Sequence, residues 1–345
     1  MRAAVDVMGG DKAPAAILKG CWEAVPLLES GDIVYLVGDE ATVREGLTAS
    51  NLAEQHKSFF RVAPASQVIE MDDSPVEAIR SKPDSSISVM CKLAAKGEAD
   101  VVISAGNTGA CVAAAQLRMR TLPGVSRPGI AVVLPTFHGP VVIIDVGANI
   151  SPRPRHLQQY ALMAAAYGEA VCGLDNPRVG LLSIGEEDAK GTSMVKESRK
   201  LMRDEPLINF IGNVEGRDLF KGTVDVVVCD GFVGNIVLKF TEGMAEGMFQ
   251  TILSELQEFA PELLDQFKPV MKKIYQKHDW QEYGGAPLLG VGGYCLICHG
   301  RSDSRAIKNA IRVGKQLTNS GVNKKIIERI AQSISSDDDA QDNAA

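Results

Sequence analysis

Five apolar runs of strand length each end at a small or acidic residue, turn through Gly or Asn, and restart in a helical pattern. The runs lie at residues 3–7, 101–104, 141–145, 179–183 and 224–229. A strand, a tight turn and a helix form the repeating unit of a parallel sheet, so all five turns are predicted to emerge at one edge. Glycines there let backbone N–H groups approach a ligand, and helix N-termini carry partial positive charge. The sequence therefore predicts an anion site at this edge.

The chain is long enough, at 345 residues, to bury a large core, and no linker interrupts it. We therefore predict a single α/β domain over residues 1–330. The connection from 145 through a helix at 156–172 to the strand at 179–183 is long enough for a parallel crossover. This predicts a doubly wound, mostly parallel sheet in an α/β/α sandwich. Residues 331–345 are rich in Asp, Ser and Ala, which predicts a disordered acidic tail.

Helical spacing persists from about 233 to 277, which predicts a helical hairpin at about 240–280 that projects from the sheet domain. Every fourth residue from 236 to 248 is apolar, and Pro269 is predicted to kink or split the second helix. Two interpretations stay open. The hairpin is either ordinary core packing with a solvated lysine face, or a contact with a second subunit, a membrane surface or an acidic partner.

Charge and cysteine content narrow the function classes. The formal net charge of −7 argues against general nucleic-acid binding, which needs many cations to neutralise phosphates. The cysteines are odd in number, seven, and lie mostly in apolar runs, which indicates buried thiols in a reducing cytoplasm. Polar or helix-breaking residues interrupt each long apolar stretch, and no export signal is recognisable. We therefore expect a cytoplasmic protein without a membrane-spanning helix.

Common cofactor and nucleophile motifs are missing from the sequence. Cys295, Cys298 and His299 match the C-x-x-C-H spacing of haem attachment, but that attachment implies export, and the segment is better interpreted as a strand that reaches a turn. His299 then points toward the ligand edge. No dinucleotide fingerprint, phosphate-binding P-loop, G-x-S-x-G elbow or zinc motif is found. We expect no cofactor and no metal, and a reaction that needs no covalent nucleophile from the protein.

Six motifs together are more specific than any one of them. They occupy residues 6–11, 104–110, 145–149, 185–191, 212–217 and 229–235. In this order they closely resemble the bacterial phosphate acyltransferase family of phospholipid synthesis, and the resemblance runs from residue 1 to about 315. It implies transfer of a fatty acyl group from acyl-carrier protein to inorganic phosphate, by a homodimer. The chain departs from the family pattern at Ser183, Val233, Cys295 and Cys298.

Phosphate is itself an anionic nucleophile, and a thioester expels a good leaving group. The protein therefore has to position phosphate against the thioester carbonyl, neutralise the repulsion between them and stabilise the oxyanion. Backbone N–H groups at 106–109 and 231–235 suit phosphate and oxyanion binding. We assign Lys190 as the phosphate or oxyanion cation and His299 as proton donor to the leaving sulfur. Asn107 and Asn235 would donate hydrogen bonds, and Asp230 would orient one of these groups. The candidate catalytic residues are Lys190, His299, Asp230 and Asn235, and the candidate phosphate- or substrate-binding residues are Asp11, Ser104, Gly106, Asn107, Thr108, Gly109, Asn149, Gly231 and Gly234.

An acidic carrier protein requires a local basic surface on this net-acidic chain. The candidates are Lys268, Lys272, Lys273 and Lys277 of the hairpin, and a second cluster of Arg301, Arg305 and Arg312. A peripheral membrane contact, through the hairpin or through a membrane acyltransferase, is left open. Three alternatives also stay open: a phosphate acetyl- or butyryltransferase that uses acyl-coenzyme A, an NAD-dependent dehydrogenase, and a non-catalytic adaptor.

Overall fold

One 11-stranded sheet forms the centre of the computed structural model, which describes residues 1–278 and 284–342. The strands are β1 (Arg2–Asp6), β2 (Ile33–Gly38), β3 (Phe60–Pro64), β4 (Val101–Ser104), β5 (Gly129–Thr136), β6 (Gly139–Ile144), β7 (Val179–Leu182), β8 (Phe210–Val214), β9 (Val226–Val228), β10 (Ala286–Leu289) and β11 (Tyr294–Ile297). The helices are α1 (Ala15–Glu23), α2 (Glu40–Ala49), α3 (Glu54–Lys57), α4 (Pro75–Ser81), α5 (Ser86–Ala95), α6 (Thr108–Ala114), α7 (Pro154–Val171), α8 (Ser193–Arg203), α9 (Gly231–Phe259), α10 (Leu264–His278), α11 (Ser304–Ser320) and α12 (Val322–Asp342).

The sheet contains two parallel blocks, in the strand order β3-β2-β1-β4-β11-β10-β5-β6-β9-β7-β8. The first block is β3, β2, β1, β4 and β11, and the second is β6, β9, β7 and β8. Between them β10 is antiparallel to both its neighbours and β5 is antiparallel to β6, so the two blocks run in opposite directions. The prediction that all five turns share one edge is therefore wrong. The turns after β1 and β4 lie at one end of the sheet, and those after β6, β7 and β9 lie at the other.

Both faces of the sheet are covered. Ala3 and Val5 of β1 lie in one hydrophobic core and Ala4 lies in the other, as the alternation of side chains along a buried strand requires. Residues of α1, α7, α11 and α12 complete the first core, and residues of α4, α5 and α6 complete the second. The doubly wound α/β/α sandwich predicted from the sequence is confirmed.

The hairpin consists of α9 and α10. α9 is a continuous helix of 29 residues in which only Gly231 and Gly234 are buried, so the hairpin begins about nine residues earlier than predicted, at the turn after β9. Pro269 lies inside α10 without ending it, which corrects the predicted split: the proline removes one backbone donor, yet the helix continues. Among the described residues, no helix combines the length and apolar character needed to cross a bilayer.

The end of the chain differs from the prediction of a disordered tail that starts at 331. α12 continues to Asp342, and Ile326 and Ile330 on it are buried in the core. Ser333 is also buried, and its hydroxyl donates to Glu205 Oε2 at 2.5 Å. The proposed domain boundary therefore falls inside a helix that packs against the fold. Residues 343–345 lie outside the described part.

Candidate functional site

A buried acid joins the turns that follow β1 and β4. Ser104 Oγ donates to Asp6 Oδ2 at 2.6 Å, and the Gly106 N–H donates to Ser104 Oγ at 3.0 Å. Burial raises the pKa of Asp6, and the hydrogen bond from Ser104 acts in the opposite direction. A Cβ atom at Gly9 would collide with the Asp6 carboxylate and lie 2.8 Å from the Gly106 nitrogen, so the two turns touch. Ser104 and the Gly106 N–H are thus used to build the turn.

Asn107 ties the turn after β4 to a neighbouring loop. Its side-chain oxygen accepts from the Ala110 N–H at 3.0 Å, which caps α6. Its amide nitrogen donates to the carbonyl oxygens of Glu70, Met71 and Asp73 at 3.0–3.2 Å. An Asn amide has only two protons to donate, and three acceptors already surround them. The side chain is therefore explained by loop positioning rather than by phosphate binding.

His299 and Asp11 meet at the same end of the sheet. The Asp11 N–H donates to the Gly300 carbonyl oxygen at 2.8 Å, and the Asp11 side chain is exposed. The Arg301 N–H donates to His299 Nδ1 at 3.1 Å, so a neutral His299 ring carries its proton on Nε2. Burial, followed by the nearby Lys239 ammonium, lowers the pKa of His299. The ring is consequently neutral at pH 7 and acts there as a hydrogen-bond donor more readily than as a strong acid.

At the other end of the sheet, the carboxylate of Asp145 organises the turn after β6. Burial raises its pKa, and the surrounding N–H donors act in the opposite direction. The four backbone donors, at 2.7–3.1 Å, are the N–H groups of Ile130, Gly147, Ala148 and Asn149. This acid shapes the turn in the way that Asp6 shapes the turns at the opposite end.

The side-chain and backbone polar groups of Asn149 are hydrogen-bonded to several parts of the fold. Its amide nitrogen donates to the Pro128 carbonyl oxygen and to the Tyr160 hydroxyl, both at 2.7 Å. Its side-chain oxygen accepts from Arg127 Nη1 at 3.3 Å, and its carbonyl oxygen accepts the Gly231 N–H at 2.8 Å. The residue therefore connects the turn after β6 to the start of α9, and its polar groups are occupied within the fold.

The N-terminus of α9 is also closed by internal hydrogen bonds. Asp230 Oδ1 accepts from the N–H groups of Phe232 at 3.0 Å and Val233 at 2.9 Å. The Gly234 N–H donates to the Asp230 carbonyl oxygen, and the Gly231 N–H is taken by Asn149. The Gly234 bond is the first ordinary bond of the helix, and the N–H groups of Gly231, Phe232 and Val233, which a helix N-terminus normally leaves open, are all satisfied. The assignment of these N–H groups to an anion has to be corrected, because the helix cap already occupies them.

Lys190 lies in the β7 turn, which we define as residues 183–192, and its side chain is exposed. Its N–H donates to the Glu187 carbonyl oxygen at 3.0 Å, and Asn213 Nδ2 donates to the same oxygen at 3.2 Å. The Asp188 carboxylate pairs with arginines of α8 rather than with Lys190. The turn is thus anchored while the Lys190 ammonium faces solvent, where an anion can reach it.

The predicted site residues separate into two groups. Those whose polar groups build the turns are Ser104, Gly106, Asn107, Asn149, Asp230, Gly231 and Gly234. Those with exposed or half-buried positions are Asp11, Thr108, Gly109, Lys190, Asn235 and His299. α9 starts at Gly231 at one end of the sheet, and its Lys239 is near enough to His299, at the other end, to lower the pKa of that ring. The sequence reasoning left out Asp6 and Asp145, although an acid that closes an apolar run was a visible signal for both.

The C-x-x-C-H segment is confirmed as a strand and a turn. Cys295 lies within β11, and Cys298 follows it, and both are buried. Burial raises the pKa of the Cys298 thiol to about 12, so its reactive thiolate form is disfavoured. These cysteines are part of the core.

A surface cavity of about 710 Å³ lies away from these turns. Its lining includes Arg2, Asp100 and Tyr294, at the amino ends of β1, β4 and β11. Ligands of parallel α/β sheets bind beyond the carboxyl ends of the strands, so the turns described above are the better candidate site.

Solved structures with the same fold include two kinds of enzyme. Phosphotransacetylase from Streptococcus pyogenes superposes with a TM-score of 0.58 at 16% identity, and the match covers 94% of each chain. A 4-hydroxythreonine-4-phosphate dehydrogenase from Klebsiella pneumoniae gives a TM-score of 0.53 at 16% identity, covering 92% of this chain and 99% of that one. At these identities the likeness shows the fold alone.

Sequence relatives are more specific. The family described as "Fatty acid synthesis protein" matches residues 1–325. Phosphate acyltransferase from Desulfitobacterium hafniense (strain DSM 10664 / DCB-2) is 47% identical over 330 residues, which cover 94% of this chain and 96% of that protein. Phosphate acyltransferase from Dictyoglomus turgidum is 44% identical over 331 residues, covering 95% and 97%. The chain belongs to this family of phosphate acyltransferases.

Proposed function

We propose that this phosphate acyltransferase takes a fatty acyl group from acyl-carrier protein and transfers it to inorganic phosphate, giving acyl phosphate for phospholipid synthesis. The observation that carries the proposal is the match to phosphate acyltransferases along nearly the whole chain. A phosphate oxygen attacks the thioester carbonyl carbon and forms a new C–O bond to it. The C–S bond then breaks, and the carrier leaves as a thiolate that takes up a proton. A thiol of pKa about 8.5 leaves readily, so no covalent intermediate with the protein is needed.

Lys190 is assigned to phosphate. Its exposed ammonium reduces the repulsion between phosphate and the electron-rich thioester, and the anchored β7 turn limits the freedom that binding has to remove. The N–H groups of α9 are occupied by its cap, which leaves a side-chain cation as the main attraction for the anion at this end of the sheet.

His299 is assigned to the thioester. His299 Nδ1 accepts the Arg301 N–H, so the proton of the neutral ring is on Nε2. That N–H is the group left to donate a hydrogen bond to a substrate. A neutral imidazole donates a hydrogen bond to a developing oxyanion or to the departing sulfur, and this role replaces the proton donor of the sequence-based hypothesis. Because Lys190 and His299 lie in turns at opposite ends of the sheet, this role requires the acyl thioester to lie along α9, which begins at the turn after β9 and whose Lys239 is near enough to His299 to lower its pKa. Asp11, beside Gly300, raises the proton affinity of His299 and orients this turn.

The proposal is tested with purified protein, long-chain acyl-carrier protein and hydroxylamine, with and without phosphate. We expect phosphate-dependent acyl hydroxamate and an equal amount of free carrier thiol. If product forms only from acyl-coenzyme A, the acyl donor is not the carrier protein, and the protein is instead a phosphate acetyl- or butyryltransferase. Thioester cleavage that does not depend on phosphate would overturn the proposal.

The carrier protein is proposed to dock beside His299, through the cluster that contains Arg301, Arg305 and Arg312. Arg301 is exposed and lies two residues from His299, whereas Lys268 of the hairpin is paired with Asp265. Arg301→Glu should raise KM for the acyl carrier and weaken its dependence on salt. Lys272→Glu, on the exposed face of α10, provides the matched comparison. A larger effect at Lys272 would move docking to the hairpin.

The hairpin is proposed to hold a second copy of the chain. Its first helix exposes an apolar stripe at Phe232, Ile236, Phe240, Met244 and Met248, each between 49% and 67% exposed. A contiguous stripe of this kind marks an interaction surface. Binding of the purified protein to lipid vesicles, if it competes with self-association, would assign the stripe to a membrane instead.

A further inference from the structure

Buried polar atoms without partners gather at the β7 turn. In the described part of the chain, five buried side-chain nitrogen or oxygen atoms lack a hydrogen bond of normal geometry, and four of them belong to Ser183, Arg199 and Asn213. One of the four, Arg199 Nη1, instead contacts the Asp188 carboxylate as an ion pair. Buried polar groups are normally satisfied, so each exception needs an explanation. Here the exceptions share one location.

Contacts to the β7 turn establish that location. The Arg199 guanidinium pairs with the Asp188 carboxylate, and the Asn213 amide donates to the Glu187 carbonyl oxygen. Ser183 Oγ would lie 3.1 Å from a Cβ atom at Gly191, whose φ of +91° favours glycine. Arg199 of α8 and Asn213 of β8 therefore contact the turn that carries Lys190, and Ser183 lies at the start of that turn.

Arg199 differs from an ordinary structural arginine. Its side chain is only 9% exposed, yet its ion-pair partner Asp188 is 66% exposed and lies in the turn rather than in the core. Its Nε atom has no acceptor. A buried arginine that served only the fold would be expected to use its donors inside the core. The carboxylate that Arg199 pairs with, that of Asp188, lies two residues before Lys190.

We propose that Arg199 is a positioning residue that acts through Asp188 to hold the β7 turn, so that the Lys190 ammonium is in place for phosphate. This inference rests on the proposed function. It makes Arg199 a second cation, besides Lys190, on which the proposed phosphate site depends. Arg203 provides an internal comparison, because it pairs with the same Asp188 carboxylate at 3.2 Å from an exposed position on the next turn of α8.

The first test compares Arg199→Met with Arg203→Met in the full-length chain, with steady-state kinetics for both substrates. We expect Arg199→Met to raise KM for phosphate about tenfold or more while KM for the acyl donor changes less than about threefold. Arg203→Met should stay within about twofold of the parent. Arg199→Lys keeps a cation near Asp188 and should recover part of the loss. A role in the fold alone would lower the active fraction and kcat without a change in phosphate KM, and that result would overturn the proposal.

The second test uses Asp188→Asn, a substitution in the exposed turn that does not require a core side chain to be replaced. It should raise the phosphate KM as Arg199→Met does, and the double variant should be no worse than either single variant, because both remove the same link. Additive losses would show that Arg199 and Asp188 act independently and would contradict the proposal.

These outcomes separate two kinds of failure. If the parent protein cleaves acyl-carrier protein without any phosphate dependence, the proposed function fails. If the parent depends on phosphate and the Arg199 and Asp188 variants keep its phosphate KM, the function stands and the positioning role of Arg199 is wrong.

Discussion

Asp6 and Asp145 occupy equivalent places in the two halves of the molecule. Each closes an apolar strand and uses its carboxylate to collect hydrogen bonds from a turn: Asp6 through Ser104, and Asp145 from four backbone N–H groups. A short acid at this position fixes the turn through its hydrogen bonds. Two of the residues that sequence analysis assigned to substrate, Ser104 and Asn149, are direct hydrogen-bond partners of these acids.

Lys190→Met should reduce kcat/KM for phosphate by about tenfold or more, because it removes the exposed cation assigned to that anion. Lys200→Met is the control, since Lys200 is an exposed cation of α8 outside the β7 turn. Initial rates against phosphate concentration, with thermal unfolding to show that both variants are folded, measure the effect. Equal rates for the two variants would remove Lys190 from the phosphate site.

The free energy of unfolding should fall on acidification, and protonation of His156 should account for part of that fall. Burial, followed by Arg127 and Arg153, lowers the pKa of His156, so the unfolded chain binds a proton there first as pH drops below about 6.5. The folded state then loses stability until its own lower pKa is passed. Urea unfolding at pH 7.5 and 5.5 should show a smaller drop for His156→Gln than for the parent. The exposed His138 supplies the control variant His138→Gln, for which we expect the parent's drop.

α9 joins the site to the hairpin. It begins with a closely packed turn at Gly231 and Gly234, passes His299 near Lys239, and continues as an exposed helix to Phe259. One continuous helix therefore runs from the turn after β9 to the surface proposed for self-association. A partner bound to the hairpin would act on a helix that starts within the site.

Gly234→Ala and Gly243→Ala should have opposite effects on stability, although both lie in α9. A Cβ atom at Gly234 would collide with the Asp145 carbonyl oxygen, which costs about 1–3 kcal/mol if the turn shifts. At Gly243 nothing lies within 4 Å, and the better helix propensity of alanine adds up to about 1 kcal/mol. The free energies of unfolding in urea measure both. A Gly234→Ala protein as stable as Gly243→Ala would show that the close approach is absent.

The sequence predicted the elements of the molecule better than their mutual arrangement. Apolar runs such as 3–7 and 179–183 coincide with strands, because a buried strand needs consecutive apolar residues. The reversal between the two blocks was missed, since strand direction depends on pairing between distant segments such as β10 and β5. The same limit affects the site. The acceptor for the Gly231 N–H is Asn149, far away in sequence, so the occupied cap of α9 was not visible in the motif.

Self-association provides a test on the scale of the whole molecule. Met244→Glu together with Met248→Glu places two charges on the exposed stripe of α9, where they would be buried in a dimer. We expect sedimentation to show a dimer for the parent and a monomer for the double variant. Lys272→Glu alters the charge on the other helix, and this variant should sediment as a dimer like the parent. A monomeric parent would contradict the proposed assembly.

The placement of β10 and β11 has a consequence for synthesis. These strands join β4 of the first block to β5, which pairs with the second block, yet they are the last strands in the described part of the chain. While the polypeptide is being made, the other nine strands exist before their connection does, and β4 and β5 are open sheet edges with apolar side chains. A polypeptide that ends before residue 286 should therefore aggregate rather than form a smaller stable protein.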